Sequence, residues 1–203
     1  MFDTEEVYQK HWQRVANEHG IALDDSFKKE IMGSSGQAMM SIISRHFHTD
    51  DPESIRMNCF TGVREDLKKY VPLKPGIQEL LAFLQKEKCP MAVASSSSIE
   101  QITSNLRVSG LAEYFDEVIS GAGLPHGKPA PDIFLLAAEK LGMDPVDCYV
   151  LEDSPNGVAA GLAAGALTIM VPDQVQPDET LRKKAHIFPT LHEVKKAMEK
   201  GIV

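Results

Sequence analysis

The strongest constraint on the fold is one stretch near the C-terminal end, Cys148-Tyr-Val-Leu-Glu-Asp-Ser-Pro-Asn-Gly157, with its continuation to Pro172. Four apolar residues, Cys148 to Leu151, are too few for a helix and fit a buried parallel strand. Two adjacent carboxylates, Glu152 and Asp153, follow at once. Ser154-Pro155-Asn156-Gly157 then reads as a turn that opens a helix, because serine caps helices and proline is tolerated in the first turn. That helix is small-sided, with Ala159, Ala160, Gly161, Ala163 and Ala164, so its backbone can approach a sheet closely. Gly165 closes it, and Ala166 to Val171 is the next strand. Such a strand–helix–strand unit places two acids at the carboxyl end of a strand, the edge where open α/β sheets bind ligands. Hard oxygen ligands there suit Mg²⁺, which prefers a few carboxylates and keeps waters for a phosphate to displace.

The remainder of the chain falls into two textures. Up to about residue 72 it reads as three or four short helices without a strand. Val7, Tyr8, Trp12 and Val15 share one apolar face, with Gly20 ending that helix. Met39, Ile42, Ile43 and Phe47 repeat the helical spacing, as do Cys59, Phe60, Val63, Leu67 and Tyr70. His11, His19, His46 and His48 lie here without a metal-ligand spacing, which favours structural histidines over ligands. From Pro72-Leu-Lys-Pro-Gly76 onward, strands and helices alternate. Pro75 opens a helix with Ile77, Leu80, Leu81 and Leu84 on one face. Strands are expected at Met91–Ala94, Phe115–Ser120, Cys148–Leu151, Ala166–Val171 and His186–Phe188. Thr190 and Glu193 form a capping box for a last helix. Asp173 to Lys184 is polar, a loop with a short helix. This alternation predicts a parallel sheet with helices on both faces.

Two further strand ends carry candidate chemistry. Four serines, Ser95 to Ser98, follow the Met91–Ala94 strand. Capping explains one or two of them, Ser97 with Glu100 or Ser98 with Gln101. Ser95, nearest the strand end, can give its hydroxyl and backbone N–H to an anion. After the next strand comes Gly121-Ala-Gly-Leu-Pro-His-Gly-Lys-Pro-Ala-Pro-Asp132. Lys128, held between Gly127 and Pro129 in a rigid turn, can neutralise a phosphoryl oxygen or the carboxylates around it; the plain alternative is a surface lysine. For Glu152 and Asp153 the alternative is an acidic loop. Taken alone, these spacings describe a Mg–phosphate site and no particular reaction.

Composition excludes several classes. The chain of 203 residues is 43% hydrophobic and 25% charged, an ordinary soluble balance. No apolar run has the length of a membrane span, and Met1-Phe-Asp-Thr-Glu5 lacks the features of a signal peptide. The three cysteines, 59, 89 and 148, form neither a zinc pattern nor a disulfide framework. A cytoplasmic location follows as the expectation. A net charge of −8 argues against nucleic acid as a partner, while leaving room for a small phosphate in a local positive pocket. Monomer is the default oligomeric expectation.

Together the motifs resemble the haloacid dehalogenase superfamily of phosphatases and mutases, over nearly the whole chain. Ser95 after its strand matches the second motif, and Lys128 in His-Gly-Lys-Pro-Ala-Pro-Asp-Ile-Phe matches the third. Leu-Glu-Asp-Ser-Pro-Asn-Gly-Val-Ala-Ala-Gly-Leu-Ala-Ala-Gly, from Leu151 to Gly165, matches the fourth and is highly specific. Within the superfamily, the chain is most similar to the β-phosphoglucomutase and pseudouridine-5′-phosphatase subgroup. The resemblance implies a Rossmann-like α/β core over residues 73–203, a helical cap over 6–72, and a remnant of the first motif over 1–5. It implies Mg²⁺ held by Glu152 and Asp153, and phosphate held by Ser95, Ser96 and Lys128, of which Ser95 and Lys128 count as catalytic. Gly33, Ser34 and Ser35 would read the substrate from the cap, with Asp3, Thr4 and Asn156 as structural support.

The family's first motif is a strand ending in Asp-x-Asp-Gly, whose first Asp attacks phosphorus to give an aspartyl-phosphate. No Asp-x-Asp occurs in this chain, and Met1-Phe-Asp-Thr-Glu5 resembles only the tail of that motif. Without the motif's strand, an apolar slot and two unpaired strand edges are expected. The resemblance therefore implies a Mg-dependent phosphatase of a small phosphorylated metabolite, a sugar phosphate or nucleotide, whose nucleophile lies upstream. One alternative is a sugar-phosphate mutase, although Tyr8 stands where mutases carry a cap histidine. The other is a non-catalytic phosphate-binding protein.

Overall fold

In a computed structural model, the residues described are 1–203 apart from Gly33, Ser35 and Gln174. Contacts divide the chain into a helical unit, Phe2–Leu73, and an α/β unit made of Lys74–Val203 with Met1.

Among the described residues the helical unit holds four helices: α1 (Glu5–Glu18), α2 (Asp25–Ile31), α3 (Gly36–Phe47) and α4 (Pro52–Leu67). Asp24 caps α2 by accepting from the N–H groups of Ser26 and Phe27. Asp51 caps α4 by accepting from Ser54 N–H, with Pro52 in the first turn. The apolar faces meet in a core of Trp12, Val15, Phe27, Ile43, Phe47 and Val63. There Trp12 packs edge-on to Phe27 at 5.5 Å between ring centroids. Cys59 is fully buried in the same core, and burial pushes its thiol up to about 12. Tyr70 departs from the expected helical stripe: it lies past the end of α4 and is exposed. A single antiparallel bridge, Phe2 to Leu73, closes the two ends of the unit.

His11 shows why a histidine can sit in this core without a metal. Its ring is buried, its Nε2 lies 3.0 Å from Asp66 Oδ2, and its Nδ1 accepts from Arg14 Nε–H at 3.2 Å. Across from it Gly62 leaves the space the imidazole fills, for a Cβ there would lie 2.2 Å from Nδ1. Lys10 also pairs with Asp66, at 2.6 Å.

The α/β unit follows in chain order: α5 (Ile77–Lys86), β1 (Ala92–Ser95), α6 (Ile99–Val108), β2 (Glu117–Ser120), α7 (Asp132–Leu141), β3 (Tyr149–Glu152), α8 (Pro155–Ala163), β4 (Leu167–Met170), α9 (Glu179–Lys184), β5 (His186–Ile187) and α10 (Leu191–Glu199). Every expected strand is present, shifted by a residue or two. Thr190 caps α10 by accepting from Glu193 N–H. Helix α5 starts after Gly76, whose φ of +87° suits glycine. Helix α7 packs on β1 and β2, and α8 packs on β3 and β4. Close approach of α8 is enforced at Gly161, where a Cβ would fall 2.8 Å from Thr168 Oγ1 and 2.9 Å from Val150 Cγ1.

Among the described residues of this unit the pairing is parallel throughout, yet the expected single sheet is two. One is β1–β2, in register from Ala92 with Glu117 to Ser95 with Ser120. The other is β3–β4–β5. The carbonyls of Met91 and Ser95 face β2, accepting from Asp116 and Gly121. The backbone groups of Ala92 and Ala94 therefore face the opposite way, because successive residues of a strand alternate. In the same manner the carbonyls of Cys148 and Glu152 face β4, and Tyr149 and Leu151 face away. Among the described residues no strand pairs with either of these edges, which are the two unpaired edges expected from the absent first motif.

Two stability predictions follow from this packing. Gly161→Ala should lower stability by about 1–3 kcal/mol, the usual cost of overpacking, read from the midpoint of denaturant unfolding. Asp66 is held low, to about 2, by hydrogen bonds from Lys10 and then His11. A carboxyl whose folded pKa is depressed contributes stability above its unfolded value near 4 and loses it as pH falls toward 2. Asp66→Asn should therefore flatten the acid side of the unfolding curve between about pH 4 and 2.

Candidate active site

All three candidate segments sit at carboxyl ends of strands, and their local structure explains why. Ser95 ends β1. Its carbonyl accepts from Gly121 N–H at 2.7 Å, and its Oγ accepts from Ser97 N–H at 3.2 Å. Ser98, not Ser97, is the helix cap, its Oγ accepting from Gln101 N–H at 3.3 Å. Ser96 is exposed between them. Ser120, at the end of β2, donates its hydroxyl to the Ser97 carbonyl at 2.7 Å and so ties the two strand ends together. At Gly121 a Cβ would meet Ser95 O and Ser96 Cα at ordinary contact distance, 3.4 Å, and the end of the Ile133 side chain at 3.3 Å.

Lys128 lies on the turn between β2 and α7, where Ala130 N–H donates to Gly127 O at 3.0 Å and the Lys128–Pro129 peptide is cis. It is no surface lysine. Its side chain is 15% exposed and pairs with Glu152, whose side chain is 10% exposed. The ammonium also stands over the Phe134 ring, 4.8 Å from its centroid. Beside this turn, His126 Nδ1 lies 2.9 Å from Asp132 Oδ1, and that contact leads the lowering of the Asp132 pKa.

Glu152 ends β3 with both carboxylate oxygens occupied. One accepts from Lys128 Nζ; the other accepts from the Ser154 hydroxyl and from Asp153 N–H, both at 3.2 Å. Ser154 in turn caps α8 by accepting from Gly157 N–H at 3.1 Å. Gly157 makes room for the arrangement, since a Cβ there would fall 2.1 Å from the Glu152 carboxylate. Asn156 is exposed in the first turn of α8.

Asp153 keeps an exposed surface. Even so, the protein packed around its carboxyl, reinforced by the negative charge of Glu152 and then Asp173, pushes its pKa upward. A carboxylate whose ionised form is crowded by other acids is a place where a cation relieves repulsion. That electrostatic setting, with oxygen donors only, fits Mg²⁺, which takes one or two carboxylates and fills its remaining positions with water and phosphate oxygens. Among the described residues no three His, Cys, Asp or Glu side chains form a ready cage. Asp173, just beyond β4 and paired with Lys74 at 2.8 Å, belongs to this acidic field. Its signal in the sequence was an acid a few residues past the end of a strand.

The structure thus brings Lys128, Glu152 and Asp153 into one constellation and sets Ser95 on the carboxyl end of the neighbouring sheet. Ser96 and Asn156 lie in the same α/β unit, while the remaining candidates, Asp3, Thr4 and Ser34, belong to the helical unit. Asp3 N–H donates to Pro72 O at 2.8 Å, and the Thr4 carbonyl receives Val7 and Tyr8 N–H. Ser34 folds back locally, its hydroxyl donating to Ile31 O at 2.8 Å. Gly33 and Ser35 lie outside the described residues. Sequence reading did not single out Phe134, whose signal was an aromatic six residues beyond Lys128 in the first turn of α7.

The haloacid dehalogenase-like hydrolase family matches residues 1–171. A protein of Drosophila melanogaster named "Probable pseudouridine-5'-phosphatase" is 29% identical over 201 residues, covering 96% of this chain and 87% of the relative. Fructose-1-phosphate phosphatase of Escherichia coli is 31% identical over 166 residues, covering 81% and 87%. Among solved structures, a HAD family hydrolase from Deinococcus radiodurans R1 with bound phosphate and sodium superposes with a TM-score of 0.79 at 28% identity, over 97% of this chain and 89% of that one. The chain therefore belongs to the haloacid dehalogenase-like hydrolases, in the subgroup of β-phosphoglucomutase- and pseudouridine-5′-phosphatase-like proteins.

Proposed function

We propose that this chain carries the phosphate- and metal-binding residues of a Mg²⁺-dependent phosphatase acting on a small phosphorylated metabolite, a sugar phosphate or nucleotide. The observation that carries the reading is the Lys128–Glu152 pair with Asp153 beside it, at the carboxyl end of β3. It is supported by relatives that are named phosphatases of pseudouridine 5′-phosphate and fructose 1-phosphate, and by the phosphate bound to the Deinococcus hydrolase.

In this reading Lys128 presents its cationic N–H donors to phosphoryl oxygens, and Ser95 gives its hydroxyl to another. Asp153 holds the metal, while Glu152, expected beside it as a metal ligand, has both carboxylate oxygens engaged and instead holds Lys128. Mg²⁺, when bound, offsets repulsion between anions and stabilises the charge that spreads over the phosphoryl oxygens. The aspartyl-phosphate would form on the first carboxylate of the family's Asp-x-Asp motif, which residues 1–203 do not contain. The helical unit serves as the family's cap. Phosphate release is favoured over mutase chemistry because Tyr8, in the place of the mutase histidine, packs edge-on to Phe60 at 5.4 Å.

Three measurements test this reading. The first is the intact mass of the native protein together with its turnover. A product heavier than residues 1–203 that releases inorganic phosphate from sugar phosphates or nucleotides with Mg²⁺ is the expected result. A native product of residues 1–203 alone, without turnover, overturns catalysis and leaves a binding protein. In the second, Asp153→Asn should weaken Mg²⁺ binding about tenfold or more in titration. Its unfolding temperature without metal should hold or rise, because the wild-type carboxylate is ionised at a cost. Unchanged Mg²⁺ affinity would remove Asp153 from the site.

The third separates charge from fold at Lys128. Lys128→Ala strands a nearly buried Glu152 carboxylate, a loss of about 3–5 kcal/mol where burial is complete. The double variant Lys128→Met/Glu152→Gln should recover most of that stability and still bind inorganic phosphate at least about tenfold more weakly than wild type. Wild-type phosphate affinity in the double variant would end the role given to Lys128.

A further inference from the structure

We propose that Phe134 is a positioning residue for Lys128: its ring face holds the ammonium in place without consuming any of its hydrogen-bond donors. The inference rests on the phosphate-binding reading of Lys128 for its functional consequence, while the contact itself stands apart from that reading.

A lysine ammonium is a compact charge on a four-carbon stem, with three donors that rotate freely. The Glu152 carboxylate accepts from it, which fixes one direction only. The Phe134 ring, 4.8 Å from Nζ to the centroid, is within the range at which a ring quadrupole attracts a cation. This attraction strengthens as water is removed, and Lys128 is only 15% exposed. The ring is itself anchored, because Phe134 packs on the cluster of Ile119, Ile133 and Ala137 that joins α7 to β1 and β2.

The chemical nature of the contact matters more than its strength. A second carboxylate at position 134 would hold the ammonium equally well. It would also cancel the positive charge, take another donor, and repel the phosphate that Lys128 is there to meet. An aliphatic side chain would leave the donors free but supply no attraction. An aromatic face attracts a cation while carrying no net charge and accepting no conventional hydrogen bond, so the remaining N–H groups stay available to an incoming anion.

The test uses the full chain with lysine labelled for NMR, in wild type, Phe134→Leu and Phe134→Tyr. Ring current should shift the Lys128 ε-methylene signals upfield in wild type and in the tyrosine variant, and the shift should vanish in the leucine variant. Lys195, which stands 5.6 Å from the Phe83 ring centroid, keeps its own signals in all three and reports an intact fold. In titrations with inorganic phosphate and Mg²⁺, Phe134→Leu should bind about three- to tenfold more weakly, with tyrosine restoring affinity. Unshifted Lys128 signals in wild type, or undiminished phosphate affinity in a folded Phe134→Leu chain, would overturn the proposal. Wild type that shows the ring-current shift yet binds no phosphate would refute the phosphate site while leaving the Phe134 contact established.

Discussion

One ion pair between a turn and a strand end organises the candidate site of the α/β unit. Lys128 follows β2, and Glu152 ends β3, so their pairing joins two sheets that share no backbone ladder. Removing two charges from water is costly, and such a pair gives little net stability relative to apolar substitutes. Its value lies in location. Glu152 reaches the pair only because Ser154 and the Asp153 N–H accommodate its second oxygen and because Gly157 leaves room for the carboxylate. The residues that look like punctuation in the motif, a serine and a glycine, thus set the position of the charge.

Much of this was legible in the sequence because the signals were local. A short apolar strand, a capping serine and a small-sided helix depend on neighbours in the chain, and the structure contains each of them. Ser98 and Thr190 cap the helices assigned to them, with Gln101 and Glu193 at the expected spacing. What escaped was tertiary. Glu152 and Asp153 look equivalent as adjacent acids, but the first turns toward Lys128 while the second keeps an exposed surface in an acidic field. Spacing carries no information about which of two neighbouring side chains meets a partner twenty-four residues away. Tyr70 failed for a related reason: the helical period continued in the sequence past the point where α4 ends.

The split sheet has its own physical reading. Strands buried on both edges draw hydrogen bonds from two neighbours, whereas β1 and β3 draw them from one. The side chains reflect this, since β4, with a partner on each side, has Thr168, Ile169 and Met170 almost wholly buried, while most residues of β1 and β3 are only half-buried. Open parallel edges are sites for further pairing, and they border the strand ends on which the candidate chemistry is mounted.

The same topology bears on how the unit acquires its structure. Each sheet is built mainly from a strand, the helix after it and the next strand, so its ladder closes a loop that holds one helix and its turns. Closing such a loop costs less chain entropy than closing one that spans both sheets. The β1–α6–β2 and β3–α8–β4 segments are therefore suited to form as separate early modules. The turn that carries Lys128, with helix α7 behind it, lies between them in sequence, so the charged constellation exists only where both segments are in place.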